Sequence, residues 1–85
     1  MSMKIHILKY DNPDIAIKSI RKLDSISSIP DDKKLADAQI VRHVANAASK
    51  KSKTLKERVR FKKVVSIYTS YIIKLERRIK SMRSP

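Results

Sequence analysis

The chain has 85 residues, a formal net charge of +13 at pH 7, and neither cysteine nor glycine. The length has room for one domain, over 1–85. Without cysteine, disulfides and thiolate metal sites are excluded. Without glycine, the phosphate-binding loops of P-loop and dinucleotide-binding proteins are excluded, and tight hairpins are disfavoured. The composition therefore favours a mainly α fold over a multi-stranded sheet.

The positive charge is concentrated in the second half of the chain. Residues 1–41 hold 7 Lys/Arg against 6 Asp, a net charge of +1. Residues 42–85 hold 14 Lys/Arg against Glu57 and Glu76, a net charge of +12. Charge gathered in this way attracts polyanions, so the composition predicts a nucleic-acid partner.

The N-terminal segment is predicted to be extended. Apolar and polar residues alternate loosely over residues 3–10, which is typical of a strand. A lone strand cannot satisfy its own backbone hydrogen bonds. The sequence thus predicts a short strand or extended arm over 1–11, which needs a second strand, another copy or another protein to pair with.

Two helices are predicted over 12–49. The first begins with Asn12 as cap and Pro13 in the first turn, and it runs to about residue 23. Pro30 and the two aspartates after it repeat this start signal, so the second helix is expected over 31–49. The following basic segment, 50–53, breaks the helical pattern and is predicted to be a hinge within the domain.

The third predicted helix, 54–82, is long, basic and amphipathic. It begins with a capping box formed by Thr54 and Glu57. At about 1.5 Å per residue it would be roughly 40 Å long, more than the first two helices could easily cover. We therefore expect a partner helix, a second copy or a larger assembly to pack on its apolar seam. The seam has the 4-3 spacing of heptads and consists of Phe61, Val65, Tyr68, Ile72, Leu75, Ile79 and Met82, with Val64 and Tyr71 widening it.

The cations of the second half are candidate phosphate ligands. Each phosphate that a Lys or Arg neutralises releases condensed counterions. The simpler alternatives are a solvated helix face and a lysine-rich composition set by the genome, but balanced helices interleave Glu with Lys. Lys34 is a further candidate, and Arg78 flanks the seam. The predicted nucleic-acid-binding residues are Arg42, Lys50, Lys51, Lys53, Lys56, Arg58, Arg60, Lys62, Lys63, Lys74, Arg77 and Lys80. Six of them (Lys56, Arg60, Lys63, Lys74, Arg77 and Lys80) are expected on the face opposite the seam.

The aromatic residues point away from base stacking. Single-strand binders stack bases on exposed aromatic rings. The aromatics here are Tyr10, Phe61, Tyr68 and Tyr71, and the last three lie on the seam, where core packing is expected. Phosphate contacts to structured RNA or duplex DNA fit better.

No catalytic or metal-binding set is predicted, and no cofactor is expected. The chain has two histidines, and His43 has no carboxylate three or four positions away. Metal ligation needs three or four converging ligands, and no nucleophile with a base beside it can be assembled. Asp31 and Asp32 are better explained as helix-start charges.

The sequence thus predicts a non-catalytic RNA-binding protein, a small component of a ribonucleoprotein such as the ribosome. The alternatives are a dimeric DNA-binding transcriptional regulator and a DNA-packaging protein of chromatin or nucleocapsid type. The heptad spacing suits a protein partner better than a membrane surface. The chain has no apolar run near the roughly 20 residues of a membrane span, and its start lacks a signal-peptide pattern. A cytoplasmic location is expected.

Overall fold

The computed structural model describes residues 7–83, and this part of the chain contains three α-helices and no strand. They are α1 (Pro13–Asp24), α2 (Asp31–Lys51) and α3 (Leu55–Arg83). The mainly α fold class is confirmed, and every helix end lies within two residues of its predicted position. Most of the predicted arm over 1–11 lies outside the described residues. None of the three helices combines the length and the apolar character needed to cross a membrane.

The start of α1 follows from its cap. The Asn12 side-chain oxygen accepts a hydrogen bond from the Ile15 N–H at 2.9 Å, and Pro13 occupies the first turn. The Asn12 side chain pairs with a backbone N–H that would otherwise lack a partner, and Pro13 has no backbone N–H that needs one. At the other end, the Ser25 N–H donates to the Arg21 carbonyl at 3.1 Å.

The break between α2 and α3 is shorter than the predicted hinge over 50–53. Lys50 and Lys51 belong to the last turn of α2, where their charge complements the negative end of the helix dipole. Between α2 and α3, only Ser52–Thr54 are non-helical. The Thr54 hydroxyl accepts from the Glu57 N–H at 3.2 Å, so this bond of the predicted capping box is present.

The core lies along one side of α3, which packs against both α1 and α2. Small residues of α2, Ala38 and Ala45, are fully buried, and they allow the backbone of α2 to approach α3 closely. Burial of each large apolar side chain contributes about 1.5–3 kcal/mol. The buried apolar residues are Ala16, Leu23, Ala38, Ala45, Val64, Tyr68, Tyr71, Ile72 and Leu75.

Tyr68 attaches the segment before α1 to this core. Its hydroxyl donates to the Lys9 carbonyl at 2.7 Å and lies 3.3 Å from the Ser19 hydroxyl oxygen. The Ser19 oxygen in turn accepts from the Lys9 N–H at 3.1 Å. Burial raises the pKa of Tyr68, which keeps its hydroxyl protonated and able to donate. Residues 7–10 are neither helix nor strand, and this network holds Lys9 in place.

An ionic cluster joins the three helices at the end of α1. We call it the clamp and define it as Asp24, Asp31 and Arg78. Arg78 Nη2 lies 2.8 Å from Asp24 Oδ1 and 2.9 Å from Asp31 Oδ1. The Tyr71 hydroxyl also donates to Asp24 Oδ1 at 3.3 Å. The clamp therefore connects the C-terminus of α1, the N-terminus of α2 and the last third of α3.

The clamp lowers the pKa of Asp24, and the pKa of the neighbouring Tyr71 is raised. The hydrogen bond from Arg78 lowers the pKa of Asp24 by favouring the carboxylate. Burial, together with the nearby Asp24 carboxylate, raises the pKa of Tyr71. Asp24 is thus held ionised and Tyr71 neutral at physiological pH.

We predict that Arg78→Gln lowers the free energy of unfolding by about 1 kcal/mol, because two largely buried carboxylates lose their cation. Urea denaturation measures the loss. Arg77→Gln is the matched control, since Arg77 is an exposed neighbour that forms no ion pair in the described residues. An equal effect of the two substitutions would contradict a stabilising clamp.

The pH dependence of this difference has a defined sign. The Asp24 pKa is lower in the folded state than the value of about 3.9 expected in the unfolded state. Its contribution is therefore fully present above the unfolded value and is lost as pH falls through the folded value. The difference between wild type and Arg78→Gln should shrink below about pH 4. A difference that grows with acid would be inconsistent with this assignment.

Candidate nucleic-acid interface

The connection between α2 and α3 is the most basic part of the molecule. We call residues 50–63 the basic tip. Its only acid is Glu57. Arg78 of the clamp lies 22 residues after Lys56 on the same helix, which is roughly 33 Å at about 1.5 Å per residue. The tip and the clamp therefore occupy opposite ends of α3. The eight cations of the tip, all exposed, are Lys50, Lys51, Lys53, Lys56, Arg58, Arg60, Lys62 and Lys63.

The cations of the tip have no acidic partners within the protein. None of the eight forms an ion pair within residues 7–83, whereas Arg78 forms two. Like charges also recur at helical spacing, as in Lys56 and Arg60 or Arg58 and Lys62. Each such pair destabilises a helix by about 0.2–0.5 kcal/mol. A bound anion would relieve this repulsion.

The sequence predicts six cations of α3 on the face opposite the seam. In the structure the cations of α3 do not share one face. At about 100° of rotation per residue, each step of three residues moves a side chain by roughly 60° around the helix. The steps from Lys74 to Arg77 and then to Lys80 therefore carry the charge from one side of the helix to the other. Lys56, Arg60, Lys63 and Lys74 lie on one flank of the buried stripe, and Arg58, Lys62 and Lys80 lie on the other.

A groove runs along the first flank, between the start of α1 and the start of α3. We call it the basic groove. Its volume is about 550 Å³. Leu55 is 74% exposed and Val59 is 43% exposed, so its apolar part is open to solvent. The groove thus combines cations with accessible apolar surface, and it is lined by Pro13, Leu55, Lys56, Val59, Arg60 and Lys63.

A second groove lies on the other flank, between α2 and α3. We call it the polar groove. It has a volume of about 310 Å³ and contains Arg42, which is half-buried and is the predicted binding residue nearest the middle of α2. Gln39, His43 and Asn46 are not among the residues that the sequence predicted to bind nucleic acid. The signal was the spacing i, i+3, i+4 and i+7 of four polar residues. The lining is Gln39, Arg42, His43, Asn46, Val65 and Thr69.

The aromatic rings are largely withdrawn from solvent. Tyr68 and Tyr71 are buried in the core, as expected. Phe61 is half-buried, with the Arg60 guanidinium 5.1 Å from its ring centre and the Tyr10 ring centre 6.4 Å away. A row of free rings on which successive bases could stack is therefore not present in residues 7–83.

Lys34 is not part of the basic surface. It is only 4% exposed, and its Nζ donates to the Asp24 carbonyl at 3.2 Å. The suggestion that Lys34 extends the phosphate-binding patch is therefore wrong. The reason is local: the C-terminus of α1 offers a carbonyl oxygen without a helical partner, and the first turn of α2 brings Lys34 beside it.

The predicted partner seam divides into two parts. Tyr68, Ile72 and Leu75 are buried against α1 and α2, so a second helix cannot contact them unless this core opens. Phe61, Val65 and Ile79 are half-buried, and Met82 is 80% exposed. The middle of the heptad pattern is thus the core of the chain itself. Of the seam residues, Met82 at the C-terminal end leaves the most apolar surface open for a partner.

Comparison of the chain with protein-family models, with curated proteins and with solved structures finds no match to any of them. Within residues 7–83, no three His, Cys, Asp or Glu side chains are grouped so that they could hold a metal ion. The grooves and the basic tip are therefore interpreted from their own chemistry.

We predict that Ile72→Asp unfolds the protein, because Ile72 is 4% exposed and an isolated carboxylate would be buried. The loss of stability should exceed about 3 kcal/mol. Met82→Asp is the matched control at the exposed end of the seam, and it should leave stability within about 0.5 kcal/mol of wild type. Circular dichroism and urea denaturation measure both. A folded Ile72→Asp protein would show that the seam faces solvent or a partner instead.

Proposed function

We propose that this protein is a non-catalytic nucleic-acid-binding protein that binds structured RNA through its phosphates, as a small cytoplasmic component of a ribonucleoprotein. The observation that carries the proposal is the basic tip, where eight exposed cations accompany a single acid and form no ion pair in the described residues. The basic tip supplies most of the affinity, and Arg42, Lys74, Arg77 and Lys80 extend the positive surface beyond it.

The mechanism is phosphate neutralisation on a pre-formed surface. Each phosphate contact releases condensed counterions, which favours binding at moderate salt. The tip is built on the adjoining ends of two helices, with only Ser52–Thr54 between them. Because the backbone is already helical on both sides of this connection, little backbone conformational entropy is lost on binding. The like-charge repulsion in the free tip falls at the same time.

RNA is favoured over DNA because the DNA-binding alternative loses support. The tip contains no Asn or Gln, so it is suited to phosphates and shape, a mode that serves double-stranded RNA and the DNA backbone alike. The dimeric DNA-binding alternative needs a free seam for the second copy. Tyr68, Ile72 and Leu75 are buried in the chain's own core, and this removes most of the support for that alternative.

We predict that replacing Lys56, Arg60 and Lys63 by Gln weakens binding to a hairpin RNA and flattens its salt dependence. Each lost phosphate contact should reduce the slope of log K against log salt by about 0.7–0.9, so three contacts should reduce it by roughly 2–3. The matched control replaces Lys18, Arg21 and Lys22 of α1 by Gln. These residues are also exposed, and their replacement removes the same charge. Fluorescence anisotropy over a salt series gives both slopes.

The control separates local contacts from net charge. Equal effects of the two triple variants would mean that RNA binding depends only on the overall charge. An unchanged salt slope in the Lys56, Arg60 and Lys63 variant would exclude this flank of the tip as the binding surface. Duplex DNA of the same length is the competitor, and stronger binding to it than to the RNA would favour the DNA-binding alternative.

In native lysate, the protein should leave fast-sedimenting particles after ribonuclease treatment. A protein found only in the light fraction would contradict the ribonucleoprotein assignment.

A further inference from the structure

We infer that the polar groove between α2 and α3 accepts one unpaired purine base of the RNA that is bound at the basic tip. This inference rests on the proposed function and adds a means of selecting particular RNA sites. Nothing in the phosphate-binding mechanism explains the polar groove, because of its lining residues only Arg42 is a Lys or Arg.

The four polar residues of the groove form one continuous row on α2. Gln39, Arg42, His43 and Asn46 are spaced i, i+3, i+4 and i+7, so they lie on the same face over about two turns. Val65 and Thr69 of α3 form the opposite wall. A planar group entering between the helices would have hydrogen-bonding side chains on one side and a methyl-bearing wall on the other.

The hydrogen-bonding capacity of this row is unused. None of the four side chains makes a hydrogen bond or an ion pair within residues 7–83, and the row contains no carboxylate. The amides of Gln39 and Asn46 each offer a donor and an acceptor, a combination that matches the N6 and N7 edge of adenine. The Arg42 guanidinium offers paired donors, which match the O6 and N7 edge of guanine. A purine is therefore the best complement to the row.

The size of the groove suits a single base. Its volume of about 310 Å³ is at the lower end of the roughly 300–1,000 Å³ that small-molecule pockets occupy. The base must also be unpaired. In A-form RNA the paired bases are stacked and their major-groove edges are out of reach, whereas bases in bulges and loops can be turned outward.

The position of the groove allows the flanking phosphates to reach the basic tip. Val65 and Thr69 lie on the same flank of α3 as Arg58 and Lys62. Val65 is seven residues from Arg58, which is roughly 10 Å along the helix. On α2, Lys50 follows Asn46 by one turn on the same side. One continuous surface therefore joins a base-sized groove to cations that can hold the adjoining backbone.

The test compares two hairpin RNAs of equal length, one with a single bulged purine and one fully paired, by fluorescence anisotropy. The wild-type protein should bind the bulged RNA at least about fivefold more tightly, the discrimination expected of one good bidentate base contact. The double variant Gln39→Ala, Asn46→Ala removes no charge and alters only exposed side chains. It should lose the preference for the bulge and keep the salt slope of the wild type.

The outcomes separate this inference from the proposed function. Salt-dependent binding without any preference for the bulged RNA would overturn the groove assignment and leave phosphate binding intact. A preference that persists in the double variant would place base selection elsewhere. A bulged pyrimidine bound as tightly as a bulged purine would overturn the choice of purine. The absence of salt-dependent RNA binding would overturn both proposals.

Discussion

The burial of one stripe of α3 by α1 and α2 is the constraint on which the surface of this protein depends. Tyr68, Ile72 and Leu75 form the centre of that stripe, and the small residues of α2 allow the two helices to lie close together. Once the stripe faces inward, the rotation of the helix assigns every other side chain of α3 to a flank or to the outer face. Both grooves follow from this arrangement, since each lies where α3 meets a neighbouring helix.

The distribution of acids completes the separation of charge. Asp24 and Asp31 pair with Arg78 at one end of α3, so these two carboxylates are occupied far from the basic tip. The cations of the tip lie away from these carboxylates and repel one another. The other end of the molecule keeps eight cations without an acidic partner in the described residues.

Local signals in the sequence were sufficient for the helices and insufficient for the contacts between them. Asn12 and Thr54 indicated helix starts because a cap depends only on residues nearby in the chain. The 4-3 spacing of the seam was recognised, but spacing cannot tell a core within the chain from an interface with another chain. Lys34 was misplaced because its partner, the Asp24 carbonyl, becomes available only when α1 ends beside α2. The polar groove is formed by α2 and α3 together. The row of polar residues on α2 could not be recognised as the lining of a groove until the position of α3 was known.

We propose that the polyanion binds at the basic tip. The most direct measurement is the mapping of backbone amide chemical shifts by NMR as a hairpin RNA is added to the protein at moderate salt. We expect the largest chemical-shift changes over residues 50–63, with smaller changes toward the clamp. Changes centred on Asp24, Asp31 and Arg78, or no changes with RNA in excess, would contradict it.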